Sequence, residues 1–502
     1  MKLKKTILIL LALALPALSF AQFRLNGKIK GYTGTANLQL NIPLVYGFHQ
    51  ENTIQFPIAK DGTFNVAVPI KETKLATLVF EGKRYNLLLH PNKTLTFEAN
   101  TADTSLRLLA GTALPENKLL LAIGFKDSPF FLNDDGSTFN KLALNGLLDS
   151  VVKPFKLAEA SKINRVQASS LSNSDKQIIS NEIAYRDYFL LDMYARTAGL
   201  QKATMDSLVL AIFDKAPLKP KTLIAGSYYY DFIDSYLKYI ETKAFKKVKE
   251  EQIPSSDPLP YYGISMDSAM VVIKKNGKPY GIWIGASKNL PMAVVEPFTY
   301  QQLTNLYNEK NLGQLSALAK VFNQQFPNSI YNKDIKAKTA SLQKMLSANA
   351  SNKKIEIAEG FEKISSIASV IKPLKGKVVY LDVWGTWCGP CKEELKSVPA
   401  LKARFKGKDV AFVYLDMDED DKDATWREFI KVNGMEGLHL RKGRANIAPF
   451  WKELLANAED KSEYYPQFFI FDKTGKLVVA KAKRPSDKEE LYQQIENVLN
   501  QK

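Results

Sequence analysis

The chain has 502 residues, 45% of them hydrophobic, with 69 Lys and Arg against 52 Asp and Glu for a formal charge of +17, and just two cysteines. That length predicts about three domains with real cores, and two cysteines exclude a scaffold stapled by several disulfides. The positive charge is spread along the chain without a nucleic-acid motif, so it reads as a solvated basic surface, and no nucleic-acid partner is expected.

The first element is a leader. Lys2, Lys4 and Lys5 precede an apolar run over 7–18, and Ser19-Phe20-Ala21 supplies small residues before a cut at Gln22. This predicts a secretory signal peptide over 1–21, too short an apolar run for a membrane helix. No cysteine follows the cut position, so a lipid anchor is not expected there, and no other stretch approaches a membrane span. The mature chain is expected in an envelope space, most simply the periplasm, without stable membrane insertion.

Residues 22–105 read as an all-β, sandwich-like domain. Ile54, Phe56 and Ile58 alternate, Asp61-Gly62 turns, and Phe64, Val66 and Val68 alternate back, which predicts a hairpin. Residues 87–89, the turn Pro91-Asn92-Lys93, then Leu95 and Phe97 repeat the pattern, and Pro57 points to an edge strand. His49 and His90 fall at loop or strand ends and read as structural.

Residues 106–350 read as mostly helical. Ser174 and Gln177 form a capping-box pattern before an apolar face of Ile178, Ile179, Ile183, Tyr185 and Phe189. Leu315, Leu318, Phe322 and Phe326 keep helical spacing until Pro327, and Ile335, Leu342 and Met345 belong to a further helix. The stretch 254–295 is ambiguous, Tyr228-Tyr229-Tyr230 reads as core packing, and 347–354 is a polar linker candidate.

Both cysteines lie in Trp387-Cys388-Gly389-Pro390-Cys391. Zinc would need further ligands, and His49, His90 and His439 lack metal-ligand spacing. Covalent haem would need His where Lys392 stands. A purely structural disulfide would close a loop too short to stabilise much. The stretch 377–382 is a β-branched apolar run that predicts a buried strand, 384–387 turns, and Pro390 suits a first helical turn. Cys388 is therefore expected at a helix N-terminus, where free N–H groups favour a thiolate, with Cys391 one turn deeper. Thiol–disulfide exchange is the chemistry this pattern predicts, with no metal and no cofactor. Further along, 410–415 predicts a second core strand, 468–471 and 477–479 a hairpin, and Ser486 to Glu489 a capping box opening a last helix with Leu491, Ile495 and Val498 on one face.

WCGPCK, preceded by VVYLDVWGTW and followed by YPQFFIFDKTGK, resembles the thioredoxin fold and, within it, the TlpA/ResA-type thiol:disulfide oxidoreductases of the bacterial envelope. The resemblance covers about 355–502 and implies an α/β thioredoxin-like domain behind the β and helical regions. It implies a cis Pro466 facing the cysteines, substrate contacts at Trp387, Gly389, Pro390 and Tyr465, and a redox-active disulfide between Cys388 and Cys391. It also implies disulfide-containing envelope proteins as substrates and a membrane protein as electron donor. Two departures stand out. Lys396 occupies a position where this family often has proline, and Asp382 stands where many TlpA-type proteins have Asn. Asp382 resembles the buried proton-handling Asp of thioredoxins; the alternative is an ordinary strand-end Asp satisfied by backbone. Gly-Pro between the cysteines resembles reducing thioredoxins, which favours disulfide reduction over an oxidase or isomerase of the same fold. A binding protein with an auxiliary redox domain is the other reading, and no peroxidase motif is present.

Overall fold

The computed structural model describes residues 22–43, 50–125, 127–132, 138–216, 218 and 224–501. The expected leader and His49 lie outside them. The chain forms two compact units, 1–301 and 302–502.

The first unit begins with two four-stranded sheets. One has the order β4 (Thr63–Pro69), β1 (Gln22–Lys30), β7 (Thr94–Asn100), β8 (Ser105–Ala110); the other runs β3 (Thr53–Gln55), β2 (Leu38–Asn41), β5 (Lys74–Phe80), β6 (Lys83–Leu89). Alternation in each strand sends one set of apolar residues inward, and Phe23, Leu25, Leu40, Phe64, Leu78, Leu87 and Phe97 meet in a single core between the sheets. At Gly27 the backbones pack so tightly that a Cβ would collide with the Phe97 carbonyl.

Both expected hairpins are corrected by this topology. The turn at Asp61-Gly62 forms, but only Ile58 bridges Phe64 across it, because β3 pairs with β2 in one sheet and β4 with β1 in the other. Pro57, which has no N–H to donate, interrupts the run and lets the chain change sheets. Likewise β6 pairs with β5, and β7 pairs in parallel with β1, so the turn at 91–93 crosses between sheets.

Helices follow: Leu114–Ala122, Lys153–Gln167, Asn173–Thr197, Lys202–Phe213, Tyr228–Glu250, Met266–Asn276 and Lys278–Asn289. Leu120, Val166, Ile178, Ile179 and Ile183 cover Leu75 and Leu88 on the outer face of β5 and β6. Ser172, not Ser174, caps the long helix, its hydroxyl accepting from Asp175 N at 3.1 Å.

The second unit contains helices Leu312–Gln325 and Asn332–Asn349 and a six-stranded sheet. Its order is β14 (Leu477–Val479), β13 (Gln467–Phe471), β10 (Val378–Trp384), β11 (Val410–Asp416), β12 (Gly437–Arg441), β9 (Ile355–Ile357). The strands β10, β11, β12 and β9 run parallel, while β13 pairs antiparallel with β10 and β14 antiparallel with β13. Every residue of β10 is buried. Val379, Leu381 and Val383 face a core built with Trp426, Phe450 and Trp451; Val378 and Tyr380 face a second one with Leu401, Leu491 and Ile495. Helices thus cover both faces of a mainly parallel sheet, the arrangement of a thioredoxin-like α/β domain. No helix among the described residues is long and apolar enough to cross a membrane.

Candidate functional site

The site sits at the carboxyl end of β10, where the chain leaves the sheet. Met417 N donates to the Trp384 carbonyl at 3.0 Å, and Thr386 N donates to Asp418 Oδ1 at 3.0 Å. The Thr386 hydroxyl also bonds the Asp418 carboxylate. Asp418 is held in turn by its own N–H on Asp416 Oδ1 at 2.9 Å and by Arg441 Nη1 on its carbonyl at 3.1 Å. The loop ahead of the cysteines is therefore fixed by the end of the neighbouring strand, the place where open α/β sheets build sites.

Cys388 is the N-cap of the helix Gly389–Leu395, and its Sγ accepts from Cys391 N at 3.1 Å. Pro390 occupies the first turn, where its missing N–H costs nothing. The two cysteines are joined in a disulfide with Cα atoms 5.3 Å apart, and both are buried, 4% and 2% exposed. No metal-ligand cluster exists among the described residues. The helix ends before Lys396 and a new one, Val398–Arg404, starts with Pro399 in its first turn. The break expected of a proline at position 396 is thus present without it.

Tyr465–Pro466 is a cis peptide immediately before β13. The Tyr465 ring stands edge-on to Trp387 at 5.6 Å, and its hydroxyl accepts from Trp451 Nε1 at 3.3 Å. Trp387 is 52% exposed, and Gly389 and Pro390 are exposed beside it. Its indole lies against Gly385, where a Cβ would come within 2.8 Å of Nε1. Gly389 has open space where a Cβ would be. Cys388, Cys391, Trp387, Gly389, Pro390, Tyr465 and Pro466 are thus gathered within one loop–helix start and the turn beside it.

Asp382 lies deeper in β10, opposite Tyr414 on one side and Phe468 on the other. Strand alternation puts it on the face of Tyr380, the layer that holds the helix Val398–Arg404. It is buried, and its Oδ1 has no hydrogen-bond partner. Burial pushes its carboxyl well above the usual carboxylate range, and the negative charge of Glu394 pushes it the same way. Backbone satisfaction, the alternative reading of this residue, does not account for that oxygen.

Glu394 was not singled out by sequence reasoning. It lies three residues beyond Cys391, hence on the same helix face, and is buried. It accepts from Ser486 N at 3.0 Å and from the Ser486 hydroxyl at 2.9 Å, with Arg484 Nη1 at 3.8 Å. This corrects the reading of Ser486 as a helix cap. Arg484 N donates to Asp487 Oδ2 at 2.8 Å in the turn before the last helix, which is Glu489–Leu499, with Leu491, Ile495 and Val498 buried as its spacing predicts. Lys392, next to Cys391, pairs with Glu309 at 2.8 Å. Asp418 and Thr386 were also missed; the signal was an acid just past the end of a parallel strand, beside the loop that carries the cysteines. His439 lies buried away from any ligand set, its ring stacked on Tyr414 at 4.7 Å and a ring nitrogen 2.6 Å from the Met435 carbonyl.

Comparison with known proteins is consistent in its direction. A family model described as Redoxin matches residues 366–499. Thiol-disulfide oxidoreductase ResA of Bacillus anthracis is 34% identical over 109 residues, 22% of this chain and 56% of that protein. ResA of Bacillus cereus (strain ATCC 10987 / NRS 248) is 31% identical over 129 residues, 26% of this chain and 67% of that protein. A solved structure described as "a putative thiol-disulfide oxidoreductase from Bacteroides vulgatus" is 33% identical and covers 26% of this chain and 75% of that one, with a TM-score of 0.20. The chain spans little more than half the length of the first curated relatives it matches, and the matched segment is about its last quarter.

Proposed function

Through its C-terminal region this chain belongs to the thioredoxin-like thiol-disulfide oxidoreductases, and we propose that it reduces disulfides of envelope proteins with the Cys388–Cys391 pair. The observation that carries this reading is Cys388 at the N-cap of its helix, with the Cys391 N–H directed at its sulfur at 3.1 Å. That donor, at the N-terminal end of the helix, favours negative charge on Cys388.

In the reduced protein the Cys388 thiolate attacks one sulfur of a substrate disulfide. A mixed disulfide forms and the other substrate sulfur leaves as a thiolate. Cys391 then loses its proton and attacks Cys388 Sγ. The protein disulfide forms, the second substrate thiolate leaves, and two electrons have passed from the dithiol to the substrate. Asp382 is the acceptor for the Cys391 proton; burial raises its carboxyl, which makes its carboxylate a stronger base than an exposed one. The Tyr465 backbone before Pro466 takes the substrate segment as an added strand, with Trp387, Gly389 and Pro390 forming the surface beside it. Recharging the pair requires a dithiol donor. In an envelope compartment, to which the leader-like start of the sequence points, a membrane protein carrying electrons from the cytoplasm fits that need.

The test is the equilibrium reduction potential of the pair together with turnover of a protein disulfide such as insulin. A value near about −270 mV supports a reductase. A value between about −120 and −180 mV, with slow insulin reduction, replaces it with disulfide formation or isomerisation.

A further inference from the structure

The first unit contains a cavity that the redox site does not use. It has a volume of about 640 Å³ and lies between the outer face of β5 and β6 and the helix Asn173–Thr197. That volume is within the range of small-molecule sites.

Its floor is a polar row set by strand register. Asn41, Thr77 and Asn86 stand directly opposite one another across β2, β5 and β6, and all three line the cavity. Arg84 follows Asn86 on the same face by alternation. The neighbouring row on that face, Leu75 and Leu88, is apolar and covered by helices. The roof comes from Arg186 and the apolar side chains of Phe189 and Met193. No carboxylate belongs to the lining among the described residues, while two guanidinium groups do.

Asn86 is the informative residue. It is 4% exposed, and neither its amide nitrogen nor its amide oxygen has a hydrogen-bond partner. A buried amide with both ends unsatisfied costs stability. Its register partners Thr77 and Asn41 are polar too, so the whole row departs from the apolar face that Leu75 and Leu88 set beside it, as residues at functional sites do. A free donor and a free acceptor side by side match one amide group of a ligand. Arg186 already gives Nη1 to Asp187 at 3.0 Å and Nη2 to the Asp127 carbonyl at 2.7 Å, which fixes the guanidinium at the wall.

We propose that this cavity binds a short peptide-like anion: an amide read by Asn86, a carboxylate placed in the field of Arg84 and Arg186, and apolar side chains against Phe189 and Met193. This is a binding function separate from thiol chemistry, and it does not depend on the cysteines.

The experiment is calorimetric titration of the full chain with N-acetyl-Leu-Leu. Saturable binding of one molecule per chain is expected. Its C-terminal amide, which lacks the carboxylate, and decanoate, which lacks the amides, bind at least ten-fold more weakly. Asn86→Leu weakens binding at least ten-fold and unfolds at the same or a higher temperature than the parent. Thr77→Trp, which fills the cavity from its floor, weakens it likewise and serves if the first variant does not fold. No saturable binding overturns the proposal. So does equal affinity for the acid, its amide and decanoate, or unchanged binding in a folded variant.

Discussion

Glu394 accepts two hydrogen bonds from Ser486, at 3.0 Å from its backbone nitrogen and 2.9 Å from its hydroxyl, one helical turn beyond Cys391. The pair ties the helix that begins at Cys388 to the turn that opens the last helix, 92 residues later. A buried carboxylate must be matched by donors, and here most of them come from one residue. Ser486→Ala removes the hydroxyl donor and leaves the backbone one. The expected loss is about 2 kcal/mol, in the range for a hydrogen bond to a charged group. Urea unfolding of the oxidised protein measures it; an unchanged midpoint would show that solvent replaces the hydroxyl.

Asp382 gives a signed pH dependence. Its folded carboxyl titrates above the unfolded value, so between the two the folded state holds the extra proton. Stability therefore falls as pH rises from about 4, the unfolded carboxyl value, up through the folded one. Asp382→Asn removes that loss. The variant should unfold at higher urea than the parent at pH 7–8 and differ little near pH 4. Insulin reduction by the same variant should slow about a hundred-fold, the low end of what a positioned proton acceptor contributes. Stability gained without loss of turnover would take Asp382 out of the mechanism.

His439 runs in the opposite direction. Burial pushes its imidazole down to about 4. An unfolded histidine titrates near 6.5, so the unfolded chain binds the extra proton between about 6.5 and 4. Stability is full above that window and declines as pH falls through it, by about 3 kcal/mol from this group. His439→Gln should flatten the slope of unfolding free energy against pH between 4 and 6.5. A slope equal to the parent's assigns the acid sensitivity to other groups.

Asp418 holds the loop before the cysteines through the Thr386 N–H and hydroxyl. Asp418→Ala leaves both half-buried donors without that partner. A loss of about 2–3 kcal/mol is expected, more than for Thr386→Val, which removes one donor only. Equal losses in the two variants would mean that the Thr386 N–H finds another acceptor.

The second unit was largely legible because its signals are local. A β-branched run gave β10, Lys473-Thr474-Gly475-Lys476 gave the turn between β13 and β14, and the spacing of Leu491, Ile495 and Val498 gave the last helix. The strand β12 escaped notice because Gly437–Arg441 mixes His and Arg into five residues, and its partners are fixed by pairing with β11. Glu394 escaped because a charged residue on a helix reads as solvated until the face bearing Cys391 is known to be buried. In the first unit the strands were visible and their pairing was not. Alternation says which side chains face inward, and it is silent on which of two facing sheets a strand joins. The same limit hid the row of Asn41, Thr77 and Asn86, which exists only through the register of three strands.

The parallel pairing of β1 with β7 sets an order of events as the chain emerges from its N-terminus. Gln22–Lys30 is an interior strand, flanked by β4 on one side and by Thr94–Asn100 on the other. Until Asn100 has been made, one edge of β1 is open, with unpaired amide and carbonyl groups available to any passing strand. Slow, long-range closure of this kind is the step at which a nascent chain needs protection from self-association. The N-terminal sandwich should thus be the part of the molecule most dependent on chaperones, although the chemistry lies at the other end of the chain.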